Sequence, residues 1–168
     1  MYIYSISGTE AVGERMEVTC RKAKPEDVDD LYNLIRGYAE KGIMLPRSKE
    51  ALSRLIDDFY VAEADGRFVG CGSLCLLAPD LAEIRSLGID EEYKGKGIGR
   101  ILIRELVEEA RRREIPKVMA LTMEVPFFER NGFSVVPKEI FPEKVWTDCI
   151  HCPKRDRCDE TAVLMRLG

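Results

Sequence analysis

The sequence lacks a long hydrophobic run, and no segment approaches the length of about 18 apolar residues that a membrane-spanning helix needs. It also lacks an excess of positive charge, because its formal net charge at pH 7 is −4. A mildly acidic chain has no general field that gathers nucleic acid or anionic lipid. We therefore expect neither a nucleic-acid nor a membrane partner, and any bound anion must be held by a local site.

The first residues lack the basic and apolar segments of a secretory signal, so a cytoplasmic location is expected. Residues 1–16 contain polar residues and glycine, which predicts a short N-terminal arm. The remaining sequence contains no internal repeat, linker or low-complexity segment, and its length suits one folded domain. We predict that this domain covers residues 17–168.

A second Cys-x-x-Cys pair is also missing, although three of the six cysteines cluster near the C-terminus with the single histidine. Without that pair, three interpretations of the cluster stay open: a zinc or other metal site, a disulfide or redox-sensitive pair, or reduced cysteines. Zinc is possible but not favoured. The cluster consists of Cys149, His151, Cys152 and Cys158. The other cysteines lie in strand-like runs and are expected to be small buried hydrophobes: Cys20, Cys71 and Cys75.

Hydrophobic periodicity predicts an α/β protein with the element order β-α-α-β-β-β-α-β-α-β and a closing strand at Thr161–Leu167. The first helix has an apolar stripe that includes Ile35 and Tyr38 at helical spacing. Asp65-Gly66 is a hairpin signal between two of the strands. Three consecutive strands therefore form an antiparallel meander.

A glycine-rich loop, Lys94-Gly95-Lys96-Gly97-Ile98-Gly99-Arg100, joins the last meander strand to a long amphipathic helix. Glycines allow successive backbone N–H groups to point inward, and the helix adds its positive N-terminal end. Lys94, Lys96 and Arg100 add full positive charges. The loop is therefore suited to binding a pyrophosphate.

Three alternatives compete with this interpretation of the loop. A P-loop requires Gly-Lys followed by Ser or Thr, whereas here Gly99 is followed by Arg100 and Ile101. A dinucleotide fingerprint requires G-x-G-x-x-G after the first strand of a parallel unit, whereas here the spacing is G-x-G-x-G after a meander. The third alternative is a connection without a ligand, with solvated lysines.

The loop and its surroundings resemble the GNAT acetyltransferase superfamily, whose hallmark is Arg/Gln-x-x-Gly-x-Gly/Ala. Here the motif is Lys94-x-x-Gly97-x-Gly99, with lysine in the first position. Residues 82–89 are similar to the family's fourth strand, and residues 127–133 to its last helix and the strand that follows. The resemblance implies a mixed central sheet, with an antiparallel meander and a splayed parallel strand pair, flanked by about four helices.

A narrower resemblance is to the stand-alone N-acetylglutamate synthase domains of arginine biosynthesis. It is carried by Met44-Leu45-Pro46-Arg47-Ser48 and by Lys144-Val145-Trp146-Thr147-Asp148-Cys149. The C-terminal cysteines belong to the same likeness. This resemblance implies transfer of an acetyl group from acetyl-CoA to the α-amine of L-glutamate.

The resemblance also implies the cofactor contacts. The pantetheine arm would lie between the splayed strands and pair with backbone groups of Leu87 and Ile89 like an added strand, with Gly88 allowing close approach. The pyrophosphate would lie in the glycine-rich loop. The predicted cofactor-binding residues are Leu87, Gly88, Ile89, Lys94, Gly95, Lys96, Gly97, Ile98, Gly99 and Arg100.

Acetyl transfer requires a neutral amine and therefore a base within reach. Glu83 matches a position where some family members carry a glutamate base, although it could simply pair with Arg85. The backbone N–H of Leu87 is the candidate donor to the oxyanion. Many relatives have a tyrosine acid where this sequence has Phe128, so a phenolic acid is excluded there. Thr122 is a weak candidate hydroxyl, or only a strand end.

The two carboxylates of glutamate require cations, best supplied by arginine. The candidates are Arg47, Arg85 and Lys144, each of which could instead be an ordinary surface charge. Alternative functions are acetylation of another small amine or a protein N-terminus, and regulation of a partner by an acyl-CoA-binding module. GNAT domains often dimerise, so a homodimer is considered.

Overall fold

The computed structural model describes residues 2–7, 15–141 and 160–167. Within them the strands and α-helices follow the predicted order, with one additional strand at the N-terminus. Their bounds are β1 Tyr2–Ser7, β2 Arg15–Lys22, α1 Val28–Glu40, α2 Lys49–Arg54, β3 Phe59–Ala64, β4 Arg67–Ala78, β5 Leu81–Ile89, α3 Ile98–Arg112, β6 Lys117–Thr122, α4 Val125–Arg130, β7 Ser134–Val135 and β8 Thr161–Arg166. No helix in the described part of the chain is both long and apolar enough to cross a membrane.

Strand β1 lies in the segment for which the sequence predicts a short arm. It pairs antiparallel with β2, placing Tyr2 opposite Cys20 and Ser7 opposite Arg15. Tyrosine and isoleucine favour strands, and in this segment they are interspersed with serines that hide the pattern. A strand therefore lies within the segment predicted as an arm, and the division between arm and domain at residue 17 stays a prediction.

The chain divides into two compact units, of which the first contains Met1–Leu74 and Ser86–Glu108. Its strands are ordered β1-β2-β3-β4-β5. Asp65 and Gly66 both have positive φ, 49° and 82°, which confirms the predicted hairpin turn between β3 and β4. The main core of this unit joins α1 and α2 to β3 and β4 through Leu31, Ile35, Leu52, Phe59, Val61 and Cys71.

The second unit contains Cys75–Arg85 and Glu109–Gly168, with the strand order β4-β5-β6-β8-β7. Strand β6 is parallel to β5 and antiparallel to β8. The parallel pairing is short, because it joins only Leu81–Glu83 to Lys117–Met119. Mixed strand directions and a parallel pair that separates after three residues confirm the implied architecture. The core of this unit consists of Leu81, Met119, Phe141, Ala162 and Leu164.

Ser86 lies within β5 and has a φ of 52°, in the left-handed region that few residues other than glycine adopt. The Cys71 thiol donates a hydrogen bond to the Ser86 carbonyl at 3.3 Å. Burial raises the pKa of this thiol from 9.0 to about 12, so it remains protonated and can donate. The left-handed conformation of Ser86 is therefore supported by a hydrogen bond from β4.

Substituting Ser86 tests this local strain. We expect Ser86→Val to lower the free energy of unfolding by roughly 2 kcal/mol, because a β-branched residue fits positive φ poorly. Ser86→Gly should be about neutral, since relief of strain offsets the added freedom of the unfolded chain. Urea unfolding measures both variants, and equal losses in the two would contradict a left-handed conformation here.

Candidate functional site

The glycine-rich loop of the first unit adopts the conformation that its glycines permit. Gly95 and Gly97 have φ values of 76° and 82°. An added Cβ at either position would meet no atom within 4 Å, so the backbone is open to an approaching ligand. The carbonyl of Gly97 accepts the N–H of Ile101 at 3.3 Å and so begins α3. The first N–H groups of α3 have no helical acceptor and can bind an anion.

The three cations of the loop differ in their surroundings. Lys94 Nζ donates to Glu91 Oε1 at 3.0 Å and lies 5.0 Å from the centroid of the Tyr38 ring. Glu91 raises the pKa of Lys94, and the pKa of Glu91 is lowered because its carboxylate accepts bonds from Lys41 and Lys94. In the described part of the chain, the exposed Lys96 and Arg100 form no ion pair. Lys94 therefore joins the loop to α1, whereas the other two are available to an anion.

The part of β5 that precedes the loop has an open edge. The Asp90 N–H donates to the Val69 carbonyl of β4 at 2.8 Å. Because successive residues of a strand direct their polar groups to opposite edges, those of Leu87 and Ile89 point away from β4. The strand pairing of β5 with β6 ends at Glu83. Two backbone positions predicted to pair with pantetheine thus lie on an edge without a strand partner in the described structure.

Tyr38 contacts this edge, although no pattern in the sequence marks it as a functional residue. Its hydroxyl donates to the Ile89 carbonyl at 2.5 Å and lies 3.3 Å from the Ile89 nitrogen, whose N–H donates to it. The sequence placed Tyr38 only in an apolar stripe. The one signal in the sequence that could have indicated a further role was its hydroxyl, because a buried tyrosine hydroxyl needs a polar partner.

Gly88 is required for packing in the structure. A Cβ at this position would lie 2.9 Å from Met44 Cε and 2.9 Å from Tyr38 Cε2. The side chains that approach Gly88 closely in the structure are therefore those of Tyr38 and Met44. A direct contact between Gly88 and a cofactor stays a prediction.

The second unit holds the predicted base. Glu83 is 6% exposed, and its carboxylate forms an ion pair with the Nε of Arg85 two residues further along β5. Residues two apart lie on the same face of a strand. The pairing that the sequence offered as an alternative for Glu83 is therefore present. An ionised carboxylate is the form that can accept a proton from a substrate ammonium.

Thr122 ends β6 and is 7% exposed. Its Oγ1 accepts the N–H of Glu124 at 2.7 Å, which supports the turn into α4. The hydroxyl proton is not used in that bond. Phe128 is buried at the position where many relatives have tyrosine, and its ring packs edge-on against Phe127 and Phe133. A phenyl ring has no acidic proton, so this side chain cannot serve as a general acid.

The remaining predicted site residues are Arg47, Lys144 and the possible metal ligands. Arg47 is half-buried in the loop between α1 and α2. Lys144 and the possible metal ligands lie outside the described residues, so their roles stay predictions: Cys149, His151, Cys152 and Cys158. Within residues 2–7, 15–141 and 160–167, no three His, Cys, Asp or Glu side chains form a group that could hold a metal.

Comparison with known proteins adds to this geometry. The model of the Acetyltransferase (GNAT) family matches residues 26–133. The chain is 41% identical over 150 residues to an uncharacterized N-acetyltransferase of Chlorobaculum tepidum, covering 89% of this chain and 97% of that protein. It is 37% identical over 131 residues to an amino-acid acetyltransferase of Mycobacterium tuberculosis, covering 73% of this chain and 75% of the relative.

A solved structure is similar as well. The N-acetylglutamate synthase of Neisseria gonorrhoeae, complexed with coenzyme A and N-acetyl-glutamate, is 29% identical with a TM-score of 0.81. The match covers 90% of this chain but only 35% of that longer protein. The family match spans well over half of the sequence and includes the glycine-rich loop. The chain therefore belongs to the GNAT acetyltransferase family and is an acetyl-CoA-dependent N-acetyltransferase.

Proposed function

We propose that this chain transfers the acetyl group of acetyl-CoA to the α-amine of L-glutamate, the first step of arginine biosynthesis. The observation that carries the proposal is the arrangement along β5. A buried carboxylate at Glu83 is followed by an open strand edge and then by the glycine-rich loop. The glutamate acceptor is supported by the likeness to an amino-acid acetyltransferase and to an N-acetylglutamate synthase.

The loop fits the pyrophosphate of the cofactor. It offers free N–H groups at the start of α3, open space above two glycines, and the exposed charges of Lys96 and Arg100. The C=O of Leu87 and the N–H and C=O of Ile89 would pair with the amides of the pantetheine arm. When bound, acetyl-CoA supplies an acetyl carbon activated as a thioester.

Glu83 would accept one proton from the substrate ammonium, directly or through water, and pass it to solvent. The neutral amine then forms the N–C bond at the thioester carbon while the C–S bond breaks. The N–H of Leu87 would stabilise the charge that develops on the carbonyl oxygen. The second amine proton ends on the sulfur of CoA, and Thr122 is the candidate hydroxyl for relaying it.

The acceptor carboxylates would be bound by Arg85, Arg47 and Lys144. An arginine presents two parallel N–H donors to a carboxylate and so adds direction to charge. Arg85 has the strongest case, because it lies on the same strand face as the proposed base. Mutation of each residue tests its role in binding glutamate. Loss of a carboxylate-binding side chain should raise the KM for glutamate and leave the KM for acetyl-CoA unchanged.

Initial rates of CoA release test the proposal, using acetyl-CoA with glutamate, glutamine, ornithine and spermidine. We expect selective turnover of glutamate, because only it carries two carboxylates for the arginines. Turnover of a cationic amine alone would contradict the glutamate acceptor while leaving the acetyltransferase assignment intact. Cofactor binding without turnover of any amine would favour a protein substrate or a regulatory module.

A further inference from the structure

Tyr38 occupies both backbone polar groups of Ile89. The tyrosine is 9% exposed, and its hydroxyl bonds the carbonyl oxygen at 2.5 Å and the N–H at 3.3 Å. A hydroxyl has one donor and two acceptor sites, so it can satisfy both groups at once. No neighbouring strand provides these bonds in the described structure. The tyrosine hydroxyl thus provides the two hydrogen bonds to Ile89 that a neighbouring strand would otherwise provide.

The ring that carries this hydroxyl is held from several sides within the first unit. It lies against the backbone of Gly88, where an added Cβ would meet Tyr38 Cε2 at 2.9 Å. The ammonium groups of Lys94 and Lys41 lie 5.0 and 6.0 Å from its centroid. The same side chain therefore contacts the pantetheine edge and the first residue of the glycine-rich loop.

We propose that the Tyr38 hydroxyl competes with the pantetheine amides of the cofactor for the backbone N–H and carbonyl of Ile89. The inference rests on the proposed pairing of pantetheine with β5. Both partners need the same N–H and the same carbonyl on the same edge, so they compete for these groups. Tyr38 provides hydrogen-bond partners for the backbone of Ile89. Pairing of the cofactor with Ile89 must therefore break the bonds to the Tyr38 hydroxyl.

Tyr38→Phe tests this competition, because it keeps the ring that packs against Gly88 and removes only the hydroxyl. Water can then reach the half-buried Ile89. Hydrogen bonds of this kind have modest net values, so CoA should bind the variant roughly three- to tenfold more tightly. ADP contains the pyrophosphate but no pantetheine, and its affinity should be unchanged.

Isothermal titration calorimetry with CoA and with ADP measures these affinities in the wild type and the variant. Tyr32→Phe on the same helix is the matched control, because it also loses one tyrosine hydroxyl. The Tyr32 ring contacts Arg36 and Lys49 rather than β5. We expect the control to bind both ligands like the wild type. Tighter binding of CoA alone by Tyr38→Phe supports the proposal.

Equal or weaker binding of CoA by Tyr38→Phe would overturn it and leave Tyr38 a structural residue. An equal gain in affinity for CoA and ADP would also overturn it, because the effect would then act through the loop. These outcomes do not depend on the acetyl acceptor. A wild type that binds CoA but ignores glutamate would contradict the proposed reaction without affecting this test.

Discussion

Glu83→Gln is expected to lower kcat by roughly 100-fold or more, which is the lower range of the contribution of a positioned general base. The amide keeps the size of the side chain but cannot accept a proton from the substrate ammonium. The KM for acetyl-CoA should change little, because no proposed cofactor contact involves this side chain. Initial rates of CoA release at saturating acetyl-CoA and glutamate measure the loss.

Comparing kcat with stability separates this role from a structural one. Loss of the base should lower kcat in a variant whose thermal unfolding stays close to that of the wild type. Glu50→Gln, on the exposed face of α2, is a matched control that should keep full activity. Because the change also removes a carboxylate partner of Arg85, thermal unfolding must show that the variant folds. Activity within a few-fold of the wild type would leave Glu83 only as a partner for Arg85.

Gly97→Ala is expected to raise the KM for acetyl-CoA by roughly tenfold or more. Its φ of 82° lies where an L residue costs about 1–2 kcal/mol, so the backbone should relax and turn its N–H groups away from the pyrophosphate. The chemical step depends on Glu83 and should be affected less, so kcat should fall little. Steady-state kinetics with varied acetyl-CoA measure both parameters.

Gly66 provides a control with the same backbone geometry. It also has a φ of 82°, and a Cβ there would likewise meet no atom within 4 Å, but it lies in the β3–β4 hairpin. Gly66→Ala should therefore lose similar stability in urea unfolding while keeping the KM for acetyl-CoA. A similar rise in KM for both variants would show that the effect comes from general destabilisation and would contradict the loop's role.

Local sequence chemistry predicted much of the fold and part of the site. The Asp65-Gly66 turn, the order of the later elements and the glycine-rich loop depend on neighbours along the chain, which is why their patterns were sufficient. The splay of β5 from β6 and the GNAT architecture came from resemblance. The structure confirms both, although no spacing argument could have supplied them.

Other features could not be predicted because they depend on contacts between distant parts of the chain. Serine has no preference for positive φ, so the conformation of Ser86 depends on the packing of β5 beside β4. The pairing of Lys94 with Glu91 is local, but Lys41 reaches the same carboxylate from 50 positions away. The sequence therefore assigned Lys94 to phosphate binding without showing that it is also tied to α1.

The sequence by itself determined the order of the elements from β2 onward, the loop that suits a pyrophosphate, and a glutamate and an arginine on one strand face. Only the tertiary structure decided which polar groups meet, as with Tyr38 and Ile89, which are 51 positions apart. The physical reason is that backbone propensity and periodicity act over a few residues. The partner of a buried hydroxyl is instead set by where the chain returns in space.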